Sequence, residues 1–112
     1  MRLEPFARPD WSPLPLDGCT GVEGKVLVRE PGFFFSLLRF EPGGTIHEHP
    51  GERDAYVACL EGEGWTSVGD ERSLLRAGEF VVWPQGVPHR LWTEGTTMIT
   101  LMYEACDEVS SA

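Results

Sequence analysis

Three histidines carry the clearest chemistry in this sequence. His47 and His49 stand two apart in Thr45-Ile46-His47-Glu48-His49, and His89 closes Pro84-Gln85-Gly86-Val87-Pro88-His89, 89 − 49 = 40 residues further on. On a β-strand, residues i and i+2 point to the same face. Two imidazoles side by side can therefore share one transition-metal ion while a third ligand arrives from another strand. Alone, a His-x-His pair is also what two surface histidines in a loop would look like, so the metal reading requires a fold that carries His89 back to the pair.

Composition limits what that fold can be. The chain has 112 residues, enough for one domain but not for a second catalytic one. A chain of this length buries enough surface to hold a core without disulfides or a structural metal, so a metal here would serve function. Lys and Arg number 9 against 18 Asp and Glu, a net charge of −9 that repels nucleic-acid phosphates and anionic membrane surfaces. No apolar run reaches the roughly 18 residues of a membrane-spanning helix. The start, Met1-Arg2-Leu3-Glu4-Pro5-Phe6-Ala7-Arg8-Pro9, has charges and prolines where a signal peptide needs an apolar core. Cys19, Cys59 and Cys106 are odd in number and widely spaced, which reads as free thiols in a reducing cytoplasm.

The 13 Gly and 9 Pro suit many tight turns rather than helix interiors. Prolines 5, 9, 13 and 15 make residues 1–20 an extended arm, with Phe6, Trp11 and Leu14 as anchors. Strands are predicted at residues 25–29, 33–41, 55–61, 65–68, 72–75, 80–83, 89–93 and 96–103, separated by turn residues. Glu41-Pro42-Gly43-Gly44 reads as a turn, and Gly69-Asp70 as the tight turn of a hairpin. No helical stripe appears. About eight short, evenly spaced strands imply an all-β sandwich or closed barrel over residues 21–105, with 106–112 as a tail.

The second half of the histidine pattern is more specific. Gly78, Pro84, Gly86 and His89 occur at spacings that resemble the second motif of the cupin superfamily, with Thr93 where that motif closes on Asn. His47, His49 and Gly62 fit the first cupin motif, and Pro42-Gly43-Gly44 resembles its Pro-Gly turn, although Gly43 lies four residues before His47 rather than six. The resemblance spans about residues 22–104 and implies a small jelly-roll β-barrel (a double-stranded β-helix) of the single-domain, cupin-2-like kind. It also implies one divalent transition metal, Fe, Mn, Ni, Co or Zn, held by His47, His49 and His89. The family's carboxylate position falls on Ala55, which cannot bind metal. A bulge before that strand would turn Asp54 inward, with Glu52 as the alternative; a three-histidine site without a carboxylate is the remaining case.

Tyr56, Arg39, Trp65 and Met102 are candidate substrate-binding residues, because aromatic, sulfur and guanidinium groups favour ligand sites. For each, packing or a surface ion pair is the competing role. The resemblance implies a homodimer and a small-molecule ligand or substrate. This fold hosts many chemistries, and the leading expectation is a metal-dependent oxygenase (dioxygenase-like) acting on a small organic substrate. The alternatives are a non-enzymatic module that binds a ligand or metal, and a sugar isomerase or epimerase relative using His opposite Tyr56 or Tyr103.

Overall fold

The computed structural model describes residues 1–105, so Cys106 and the expected tail lie outside the described residues. The strands are β1 (Arg8–Pro13), β2 (Thr20–Glu30), β3 (Phe33–Pro50), β4 (Ala55–Val68), β5 (Glu71–Arg76), β6 (Phe80–Trp83), β7 (Pro88–Trp92) and β8 (Met98–Ala105). Every pairing is antiparallel. No helix is present among the described residues, and thus none long and apolar enough to cross a membrane.

Closure rests on two long strands. β3 pairs with β8 through Phe33 to Phe40 and with β7 through Thr45 to Pro50. β4 does the same, meeting β8 from Ala55 to Gly62 and β7 from Trp65 to Val68. β3, β8, β4 and β7 therefore form a closed ring, with β1 and β2 extending it beyond β3, and β5 and β6 beside β4. This is the all-β jelly-roll barrel that the sequence implies. The turn expected at residues 41–44 and the boundary expected at Gly62 are instead bends within continuous strands. Gly43 and Gly62 take φ of +78° and +74°, so the chain turns a corner without leaving the ladder.

The arm is more ordered than its prolines suggest. Residues 8–13 add β1 to the edge of β2, where proline's missing N–H costs no ladder bond. Leu14 packs on the core, and the Trp11 ring lies under Lys25 Nζ at 4.7 Å and the Arg39 guanidinium at 4.3 Å. The expected hairpin forms across Val68 and Glu71, with Gly69 at φ +58°. Strand 96–103 is shifted: β8 begins at Met98, because Thr96 Oγ1 donates to Glu63 O and Thr97 O accepts from Glu63 N in a connecting loop.

Inside the ring, Leu38, Phe40, Ile46, Val57, Leu91 and Met98 are buried. Burial of such side chains is the main favourable term in folding. The density of Phe and Leu in β3 follows from apolar neighbours on both faces. On the outside, Phe33 and Phe35 contact Tyr103, Tyr103 contacts Tyr56, and Tyr56 contacts Phe80, with ring centroids 5.4–6.3 Å apart. Phe80 is 66% and Tyr56 45% exposed, and Phe33, Phe35 and Tyr103 are half-buried, so the aromatic file crosses the outer sheet and is open at its Phe80 end.

Candidate functional site

One irregularity in β3 sets the geometry of the histidines. Between the pairs Ile46↔Leu91 and His49↔His89, β3 advances three residues while β7 advances two. The extra residue is a β-bulge, which reverses the in-out alternation. Ile46, on the barrel's inner face, is thereby followed by His49 on that same face, opposite His89. The rings of His49 and His89 stand 4.6 Å apart at 68°.

Each imidazole is held differently. His49 Nδ1 is 2.9 Å from the carbonyl oxygen of His47. A carbonyl only accepts, so Nδ1 carries the proton and the neutral ring has its free lone pair on Nε2. A backbone carbonyl behind the imidazole is a common way to orient a metal-ligating histidine. His89 is 4% exposed and stacks on Trp83 at 4.0 Å and 10°. Burial, reinforced by the neighbouring His49 and opposed by the Val87 backbone, lowers its pKa to about 4, so at neutral pH it is an uncharged base. Its Nδ1 makes no hydrogen bond of good geometry among the described residues, the Val87 backbone being near but poorly placed. A buried polar atom left without a good partner is costly, and a bound ion or molecule would satisfy it.

His47 stands apart from this pair. It is exposed, its ring is 5.7 Å from that of His49, and its Nδ1 is 3.7 Å from Cys19 Sγ. Gly18 permits this approach, since a Cβ there would come within 2.9 Å of the His47 ring.

The carboxylates depart from the expected set. Asp54 precedes β4 and is exposed, and its Oδ1 accepts the backbone N–H of Gln85 at 2.7 Å. No bulge turns it inward, because its oxygen closes the neighbouring turn. Glu52 is exposed at the rim of a cavity that His49 and His89 line. The carboxylate that does reach the histidines is Glu104, which lines this cavity and its inner continuation. Burial raises its pKa, and the nearby His49 pulls against that rise. Sequence reasoning missed Glu104, although the alternation Met98, Thr100, Met102 points to it when continued by one step.

The inner cavity has a volume of about 310 Å³. Its walls include Phe34, Leu38, Ile46, Trp83 and Met102, with Ser36, His49, Glu104, Arg8 and Arg29 as polar groups. Of the four expected substrate contacts, only Met102 lines it. Arg39 is committed to an ion pair with Glu23 and to the Trp11 ring on the outer surface. Tyr56 belongs to the outer aromatic file. Trp65 stacks on Trp92 on the face opposite buried Gly64 and Thr66. Buried Cys59 has its thiol pKa raised, chiefly by burial, as suits an unreactive core thiol.

As donors, His49 and His89 suit a divalent transition metal: two imidazoles on facing strands, His89 uncharged at neutral pH and His49 with its second nitrogen anchored. Among the described residues, no three His, Cys, Asp or Glu side chains already converge as a ligand set.

Known proteins place this architecture. The polyketide cyclase RemF from Streptomyces resistomycificus is 19% identical, with a TM-score of 0.83 over 96% of this chain and 80% of that one. An RmlC-like cupin from Shewanella frigidimarina is 17% identical, with a TM-score of 0.78 over 97% and 95% of the two chains. KdgF from Halomonas sp. is 20% identical, with a TM-score of 0.75 over 86% of each chain. Identities this low speak for the fold alone. No curated protein matches the sequence. The cupin domain model matches residues 36–103, from the inward face of β3 to β8 and through all three histidines, and the chain belongs to the cupin family.

Proposed function

We propose that this chain is a small-molecule cupin enzyme that carries one divalent transition metal, Fe, Mn, Ni, Co or Zn, at His49 and His89. His47 is the nearest further imidazole, and Glu104 is the acid–base group of the cavity. The observation that carries this reading is the facing pair His49 and His89 at 4.6 Å, with a buried nitrogen on His89 that makes no hydrogen bond of good geometry among the described residues. When bound, such a metal supplies Lewis acidity toward a substrate oxygen.

The chain's own groups do the rest. Leu38, Ile46, Trp83 and Met102 shed water from the bound molecule and strengthen its polar contacts. Glu104 lines the same cavity as His49, and its raised pKa favours the protonated carboxyl. It is placed to give a proton to a substrate atom and take one back. Ring closure or isomerisation of a carbonyl compound needs a proton donor and a polarised oxygen but no oxidant. That supports acid–base chemistry ahead of oxygenation, and the similarity to RemF, a polyketide cyclase, is in keeping with it. Cys19 and Cys59 are free thiols, which suits the cytoplasm.

Elemental analysis by mass spectrometry tests the metal. Wild-type protein is expected to hold near-stoichiometric metal, and the His49→Ala, His89→Ala double variant to bind it at least about a hundredfold more weakly. Glu104→Gln should keep the metal. Equal metal in wild type and double variant, or none in wild type after reloading, would remove this reading. Oxygen uptake by Fe(II)-loaded protein with an organic substrate would favour an oxygenase instead.

The outer aromatic file supports a homodimer, since contiguous apolar surface of this kind marks association sites. Light scattering is expected to give a dimer at micromolar concentration and a monomer for Phe80→Glu. A monomeric wild type would exclude the pairing.

A further inference from the structure

Two arginines share the cavity that His49 and Glu104 line. Arg8 and Arg29 are exposed at its wall, while Ile46, Trp83 and Met102 are buried. Arg2 pairs with Glu4 and Glu30, and Arg39 with Glu23. Arg8 and Arg29 form no ion pair among the described residues. Lys25, Arg72, Arg76 and Arg90 likewise form no ion pair among the described residues, so what sets Arg8 and Arg29 apart is that both line this cavity. Arg8 Nη2 donates to Ser12 Oγ at 3.3 Å, and the Arg29 guanidinium lies 6.0 Å over the Phe34 ring. Glu30, the residue next to Arg29, is taken by Arg2. Glu104, the one carboxylate among the described residues that line this cavity, interacts with His49. The net charge of −9 repels anions in general. Attraction of an anion to this wall must therefore be local, from these two guanidinium groups.

We propose that the molecule taken into this cavity is a carboxylic acid with an apolar, ring-sized body, its carboxylate read by Arg8 and Arg29 while its body lies among Phe34, Ile46, Trp83 and Met102. The planar guanidinium fork matches a carboxylate through paired hydrogen bonds. A cavity of about 310 Å³ is at the small end for organic ligands. The inference rests on the enzymatic reading for the identity of the site and adds the class of substrate.

The test uses the full chain, freed of metal by a chelator, and titrates it with 2-naphthoate, the neutral 2-naphthalenemethanol and 2-naphthyl phosphate by calorimetry. Wild-type protein is expected to bind the carboxylate about tenfold more tightly than the alcohol. In Arg8→Gln, Arg29→Gln that preference should vanish while the alcohol binds as before, which also reports that the variant is folded. Equal binding of acid and alcohol to wild type, a preference that survives in the variant, or no saturable binding of the carboxylate would overturn the proposal. Tighter binding of the phosphate than of the carboxylate would also overturn it, in favour of a phosphorylated ligand. Because the titration reads binding in metal-free protein, its failure leaves the metal at His49 and His89 standing, and loss of the metal reading leaves the titration interpretable.

Discussion

Metal-free protein is expected to lose about 3 kcal/mol of stability from His89 as the pH falls from 6.5 to about 4. In this window the unfolded chain binds a proton at His89 and the folded chain does not. Stability therefore rises with pH, is fully present above the ordinary histidine pKa, and is lost as pH falls toward the folded value. The cause is burial of the ring against Trp83, with His49 beside it. Glu104 acts in the opposite sense: its raised pKa gives stability below the ordinary carboxyl value that is lost as pH rises. Urea unfolding in chelator between about pH 4.5 and 7 should show the slope, steeper in Glu104→Gln and flattened in His89→Asn. A level curve in Glu104→Gln would mean that the folded state admits a proton at His89.

Gly62→Ala is expected to destabilise the fold by at least about 3 kcal/mol, against about 1 kcal/mol for Gly43→Ala. Both glycines have positive φ, so alanine strains either backbone. They differ in space. A Cβ at Gly43 meets nothing within 4 Å, whereas at Gly62 it would lie 2.0 Å from the Thr97 carbonyl oxygen. That oxygen belongs to the loop entering β8, and Gly62 itself pairs with Met98. Relief would require opening the seam between β4 and β8, which closes the barrel. Denaturant titration of the two variants measures the gap. Equal losses would show that backbone conformation alone, and not the close approach, sets the cost.

Much of the architecture was legible before any coordinates. Alternating and apolar runs bounded by Gly and Pro locate the strands, because the side-chain period of two and the φ restrictions at turns are local properties. The hairpin at Gly69-Asp70 is such a case. In the sequence, Gly43 and Gly62 look like ends of strands, because a glycine that ends a strand and one that bends it are alike locally. Which occurs depends on whether a partner strand continues alongside.

The candidate site divides in the same way. The sequence by itself determined that His47, His49 and His89 were the residues to watch and that the scaffold was a cupin barrel, since those follow from residue type and spacing. Only the tertiary structure decided which two histidines face each other. That choice depends on a one-residue bulge between Ile46 and His49, and a bulge is defined by the register of two strands rather than by either alone. The carboxylate was decided there too. Asp54, nearer in sequence to His49, is spent on the backbone of Gln85, whereas Glu104, 104 − 49 = 55 residues away, arrives on a strand that pairs with both β3 and β4. Arg8 and Arg29 became candidates only when the fold was seen to bring both to the cavity that His49 lines, with neither in an ion pair among the described residues. Ion pairing is settled by distance in space, and the chain order contains no such distance.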